Sequence, residues 1–274
     1  MPFAENHGVR LHWETRGEGT PVLLIMGHRY TARMWYPILA DLAAKHRVIT
    51  FDNRGVGESE TTSKASIADF VADTLAVMDA AGGQQAHVFG VSMGGGIAIE
   101  FGLRHPDRVK SLLLGCTCIL TADKPRAPAF LRSLYRWAPW LLNWLMRRRG
   151  ADQGYGRAAP ADRVALDQKI LAEEKGTVAG VAAQADAVAG YVNTHEAVAG
   201  LTVPALVLHG DEDAVVPFAW GVELAQTLPN SRFVRFAGAG HNFFIAGGQR
   251  ANEAVLEFLE DVDRGIPIKR VRDA

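Results

Sequence analysis

The chain has 274 residues, 48% of them hydrophobic, enough to bury one large core with room for an inserted subdomain. Its 29 basic and 30 acidic residues nearly cancel, which argues against nucleic acid or an anionic membrane as the main partner. Cys116 and Cys118 are the only cysteines, so neither a disulfide framework nor a four-ligand metal site is spelled out, and no apolar run is long enough to span a bilayer.

The N-terminal stretch lacks the basic start and apolar core of a signal peptide, so the expected location is the cytoplasm. Val9 to Thr15 alternates apolar with polar residues, the pattern of a half-exposed strand at a sheet edge. Pro21 to Met26 is continuously apolar, as a strand covered on both faces must be. A loop from His28 to Ala32 follows, then a helix from about Met34 to Lys45 with Trp35, Ile38, Leu39 and Leu42 on one face. Arg47 to Phe51 is the next strand. Its exit loop, Asp52 to Ser59, contains G-x-G but lacks the third glycine of a dinucleotide fingerprint. Asp52 and Arg54 are expected to hold that loop through local hydrogen bonds and charge pairing. Ser66 caps a helix running to about Ala81, which Gly82-Gly83 stops.

Ala86 to Phe89 is a short buried strand, Gly90-Val91-Ser92-Met93-Gly94 a G-x-S-x-G match, and Ile97 to Arg104 a helix. A serine on so sharp a turn needs small neighbours at Gly90 and Gly94, where strand and helix approach closely. The turn leaves the Ser92 hydroxyl at a helix N-terminus, where backbone N–H groups favour developing negative charge. Another apolar run spans Val109 to Cys118. The rhythm then breaks: residues 119–195 read as helical and hold no convincing strand. Pro139 opens a helix whose Trp140 and Trp144 share a face; with Trp137 they are expected to pack within this block, the alternative being that some of the rings line an apolar acyl or alcohol site. Pro160 to Lys175 and Thr177 to Val192 are two further helices. Strands resume at Val203 to Leu208 and Ser231 to Phe236. A helix from Pro217 to Leu228 lies between them, and one from Asn252 to Val262 closes the chain.

Strands alternating with helices imply an α/β fold with a mainly parallel sheet of about eight strands, helices on both faces, and functional groups at the strands' carboxyl ends. Residues 1–118 and 196–274 form the expected core domain, and 119–195 an inserted helical cap. Three of those strand ends carry Ser92, an acid cluster at Asp211 and Asp213, and His241. Serine is a poor nucleophile until an imidazole takes its proton, and the imidazole needs a carboxylate to fix its tautomer. His209, at a strand end before a glycine, reads as packing.

Together, GVSMG at 90–94, HGDEDAVVP at 209–217, GAGH at 238–241 and DNRGVGES at 52–59 make the chain resemble the α/β-hydrolase fold superfamily over nearly its full length. The resemblance implies Ser92 as nucleophile, His241 as base and Asp213, rather than Asp211, as the acid. It implies an oxyanion hole built from the backbone N–H groups of Met93 and His28. In many relatives His-Gly precedes the second donor, whereas this chain has Met26-Gly27-His28, and its imidazole could face either the substrate or the cap. The activity so implied is hydrolysis of a small to medium, fairly apolar carboxylic ester or lactone through an acyl-enzyme, with no metal or organic cofactor required. Carbon–carbon bond hydrolases, thioesterases and cofactor-free perhydrolases use similar triads, and a slow-turnover ligand receptor could keep the same pocket. Serine at 92 disfavours epoxide hydrolases and haloalkane dehalogenases, which carry aspartate there.

Overall fold

The structure, a computed structural model, describes residues 2–126, 137–138 and 154–268. Eight strands form one sheet: β1 (Phe3–Asn6), β2 (Val9–Arg16), β3 (Pro21–Ile25), β4 (Arg47–Phe51), β5 (Ala86–Val91), β6 (Val109–Gly115), β7 (Ala205–Gly210) and β8 (Ser231–Phe236). Their order is β1-β2-β4-β3-β5-β6-β7-β8. The β1–β2 and β2–β4 pairs are antiparallel and all others parallel.

The sequence pattern puts Val9 to Thr15 at the edge, but that place belongs to β1. A two-residue turn folds β1 back on β2, with His7 and Gly8 both at positive φ (47° and 79°). Only Ala4 of β1 is buried, so four residues carry too little alternation to announce a strand.

The apolar runs follow from the two covered faces. Val22 and Leu24 of β3 join a core with Ile38 and Leu42 of α1 (Tyr36–Ala43) and Val255, Phe258 and Leu259 of the C-terminal helix. Leu23 and Ile25 point the other way, to a core with Phe70 and Val71 of α2 (Ile67–Ala80) and Ile97 and Phe101 of α3 (Met93–Arg104). A 3-10 turn (Ala32–Trp35) leads into α1. At the start of α2, Ser66 and Asp69 form a reciprocal capping box, with the Ser66 N–H donating to Asp69 Oδ2 at 2.8 Å.

Between β6 and β7 the described residues hold α4 (Ala161–Ala172), α5 (Val178–Gly190) and α6 (His195–Ala199); an isolated bridge pairs Gly176 with Val56. The helix expected from Pro139, with Trp140 and Trp144, lies outside the described residues. Trp137 is described and is exposed, against the packing expected of it. The last two helices are α7 (Phe218–Thr227) and α8 (Phe243–Asp263). Helix α8 starts well before the Asn252 expected from sequence. The glycines at 247 and 248 read as breakers, and Gly248 does interrupt the helix (φ 49°), yet helical turns continue on both sides. No described helix is long and apolar enough to cross a membrane.

Candidate active site

The loops leaving β3, β5, β6, β7 and β8 converge at the carboxyl end of the sheet. They enclose a cavity of about 250 Å³ lined by residues that include Gly27, His28, Ser92, Cys116, Val215 and His241, with Met34, Trp35 and Phe244 among its apolar walls.

Ser92 joins β5 to α3 with φ 55° and ψ −120°, a backbone conformation that serine rarely adopts. Its neighbours explain how this is tolerated. A β-carbon at Gly90 would overlap the Gly94 carbonyl, and one at Gly94 would overlap the Ile25 carbonyl, so strand and helix close only over bare backbone. The Ser92 N–H is anchored on the Gly115 carbonyl at 2.8 Å. Met93 follows as the first residue of α3.

His241 and Asp213 come from the exits of β8 and β7. His241 Nδ1 and Asp213 Oδ2 are 2.8 Å apart. The other carboxylate oxygen accepts the Val215 and Val216 N–H groups at 2.8 and 2.9 Å. His209 Nε2 lies 3.3 Å from Asp213 Oδ2 and within hydrogen-bond reach of the Val216 carbonyl. Thus His209, read from sequence as packing, also braces the acid, and nothing in its local pattern distinguishes those two uses. Asp211 points elsewhere, accepting from the Arg235 guanidinium and from the Gly238 N–H at 2.6 Å.

Burial alone would raise Asp213, but hydrogen bonds from His209 and His241, and the His241 charge, outweigh it and hold the carboxyl well below the usual range. Burial likewise opposes charge on His241. The Cys116 sulfur and the Asp213 carboxylate overcome it and hold the imidazole well above its ordinary value. Cys116 leaves β6 at φ 41°, and its sulfur, an Asp213 oxygen and a His241 nitrogen lie within 4.8 Å of one another. These atoms could in principle hold a metal ion, but the four contacts on Asp213 already occupy its acceptor sites.

The loop after β3 faces the segment between β6 and β7. The His28 ring lies with Nε2 2.9 Å from the Val181 carbonyl of α5, and burial, with the Arg29 charge, lowers its pKa to about 4 against the opposing pull of that carbonyl. The ring is therefore neutral at pH 7 and is directed at α5. Arg29 donates its N–H to Gln184 Oε1 at 2.7 Å, and Thr31 donates its N–H and hydroxyl to Glu174. Gln184, buried, also donates to the Arg54 carbonyl at 2.9 Å. Sequence reasoning missed Gln184 and Glu174, because a polar residue on α5 and another just past the end of α4 give no sign of distant backbone partners.

In the Asp52 to Ser59 loop, Asp52 accepts the Glu58 N–H at 3.1 Å, locally as expected, and also reaches the segment after β3 by accepting the Ala32 N–H at 2.9 Å. Arg54 does not. Its guanidinium reaches α2 and forms two bonds with buried Asp73, at 2.6 and 2.5 Å.

A serine–histidine–aspartate chain of hydrogen bonds also occurs in the core. His87 Nδ1 is 2.7 Å from Ser111 Oγ and Nε2 is 3.0 Å from Asp263 Oδ1. Ser111 and His87 are fully buried and neither lines the cavity, so hydrogen bonding in this order does not by itself make a reactive serine.

A parallel sheet carrying a serine on a strained strand-to-helix turn, with an acid and a histidine on later strand exits, defines the architecture of one protein class. The chain belongs to the α/β hydrolase fold family, whose model matches residues 20–247. It is 29% identical to RutD of Azorhizobium caulinodans, a protein named for carbamate hydrolysis, over 96% of this chain and 100% of that one. Among solved structures it is similar to a thermophilic esterase from Thermogutta terrifontis (TM-score 0.84, 27% identity, 95% of this chain and 98% of that one). It is also similar to the enol-lactonase from Burkholderia xenovorans (TM-score 0.83, 26% identity, 94% of this chain and 100% of that one).

Proposed function

We propose that this α/β hydrolase cleaves small, largely apolar carboxylic esters or lactones through an acyl-enzyme, with residues 119–195 acting as a cap over the core formed by 1–118 and 196–274. The observation that carries this reading is the pairing of His241 Nδ1 with Asp213 at a cavity whose wall also contains the strained Ser92. The carboxylate holds the Nδ1 proton, leaving Nε2 to accept a proton from Ser92 as its oxygen attacks the carbonyl carbon. The tetrahedral oxyanion is stabilised by the N–H groups of His28 and Met93. His241 passes the proton to the departing alkoxide, and water, activated by the same imidazole, then releases the acid and regenerates Ser92.

The cavity, about 250 Å³ and mainly apolar, supports a compact substrate rather than a long acyl chain. The esterase and enol-lactonase structures, similar over nearly their full lengths, support the same substrate class. The test is hydrolysis by the purified protein of a panel of esters and lactones of graded length, with thioesters and carbamates of matched size. The reading expects kcat/KM highest on short esters or lactones and abolished in Ser92→Ala. Preference for carbamates or thioesters, or turnover surviving in Ser92→Ala, would overturn it.

A further inference from the structure

The loop that carries His241 is clamped by the segment returning from the region between β6 and β7. Three backbone bonds join them: Gly240 N–H to the Tyr155 carbonyl at 2.8 Å, Asn242 N–H to the Gly154 carbonyl at 2.7 Å, and Ala158 N–H to the Gly238 carbonyl at 2.9 Å. The contact is backbone on backbone. A β-carbon at Gly240 would sit 2.8 Å from the Gly154 carbonyl group and the Gly156 nitrogen.

Side chains close the same clamp. Asp167 of α4 is buried and accepts from the Tyr155 hydroxyl at 2.9 Å and from Asn242 Nδ2 at 3.2 Å. Its other oxygen accepts the Tyr36 hydroxyl at 2.9 Å, which ties α4 to the core at α1. Both residues flanking His241 are therefore fastened to one short stretch: Gly240 through the Tyr155 backbone, and Asn242 through Gly154 and Asp167. Burying a carboxylate with only neutral donors is costly. Here the buried carboxylate holds one neighbour of His241, Asn242, directly, and holds Tyr155, whose carbonyl fastens the other, an arrangement that calls for an explanation beyond packing.

We propose that Asp167 is a positioning residue for His241, acting through Asn242 and Tyr155. This rests on the reading of His241 as the base. In it, α4 sets the angle at which the imidazole meets Ser92 instead of merely covering the site. A misplacement of the base by about 1 Å can cost roughly 100-fold in rate, so a loosened loop loses turnover mainly in kcat, even though Asp167 and Asn242 also line the cavity.

The test compares Asp167→Leu, Asp167→Asn, Asn242→Ala and Tyr36→Phe in the full-length protein. Turnover of a short aryl ester is expressed per site titrated with a fluorophosphonate, and the low-field Nδ1 proton of His241 is followed by NMR. Asp167→Leu and Asn242→Ala are expected to lower kcat roughly 10- to 100-fold with KM within about twofold, and to broaden the His241 resonance. Asp167→Asn keeps an acceptor for Asn242 and Tyr155 and should restore most of kcat. Tyr36→Phe removes the bond that bypasses the His241 loop; it should lower Tm and leave kcat per site near wild type. Wild-type kcat per titrated site in Asn242→Ala, or a loss confined to KM in either Asp167 variant, would overturn the proposal. Should Asp167→Leu fail to fold, Asn242→Ala still decides. If the wild type turns over no ester, the proposed function fails, and an unaltered His241 resonance in Asn242→Ala would separately sink the positioning role.

Discussion

Asp213 meets His241 with Oδ2, 2.8 Å from Nδ1, while its Oδ1 is occupied by the N–H groups of Val215 and Val216. One oxygen is thus assigned to the imidazole and the other to keeping the carboxylate from rotating. Asp213→Asn preserves the shape but places an amide where a charge was. We expect kcat to drop by roughly 10⁴-fold. Asp211→Asn disturbs two exposed bonds from Arg235 and can keep its acceptor for the Gly238 N–H, so it should cost much less. Steady-state kinetics of the two variants check this, and the reverse ranking would move the acid to Asp211.

Labelling separates Ser92, beside the His241–Asp213 pair, from Ser111 in the core serine–histidine–aspartate chain. A fluorophosphonate needs both an activated hydroxyl and room to approach. It should therefore modify Ser92, at the cavity, and leave Ser111, sealed beneath His87 and Asp263, untouched. Peptide mapping of the labelled protein gives the answer. Label recovered on Ser111 would show that the core chain opens to solvent.

The pH profile follows from the environment of His241. In the proposed mechanism only the neutral imidazole can take the Ser92 proton, so kcat/KM should rise as pH climbs through the His241 pKa. That pKa is raised above the ordinary 6.5, so half-maximal kcat/KM should fall on the alkaline side of 6.5. Cys116→Ala deletes a sulfur that contributes to the rise, and the acid limb should move to lower pH. A limb at or below 6.5 in the parent, or an alkaline shift in Cys116→Ala, contradicts this account.

Arg54 and Asp73 are the stability test. Both side chains are buried, at 7% and 0% exposure, and the pair ties the loop after β4 to α2. Arg54→Met leaves a carboxylate in the core with Asn6 Nδ2 as its one remaining side-chain donor among the described residues. The expected loss is about 3–5 kcal/mol in denaturant unfolding. Arg54→Met combined with Asp73→Leu should recover much of it, since the stranded charge is gone. Equal losses in the single and double variants would mean that the pair matters through shape alone.

The main parallel strands were legible because burial on both faces forces an uninterrupted apolar run, as in Leu23 to Ile25 and Leu112 to Leu114. The turn at Ser92, an elbow between β5 and α3, was legible because its glycines are dictated by backbone contact, a requirement that leaves a mark in the sequence itself. Less visible were groups whose partners lie far along the chain. Arg54 looked local and reaches Asp73; Gln184 looked like helix surface and is fully buried against Arg54 and Arg29. Asp167 sits on a polar-looking helix, and its three partners come from positions 36, 155 and 242. No periodicity encodes a bond between residues that meet only after the sheet has closed.

The shape of the elbow has a consequence for how the protein is made. The chain that moulds Ser92 runs through Ile25, Gly90, Gly94 and Gly115, with Thr117 packed against Gly95, so all of it has left the ribosome well before His241 is translated. On the proposed reading of Ser92 as nucleophile and His241 as base, the serine's seat is complete in sequence while its base does not yet exist. Reactivity is therefore withheld from the growing polypeptide until β8 takes its place at the far side of the sheet, and a nascent chain released early would carry an inert serine.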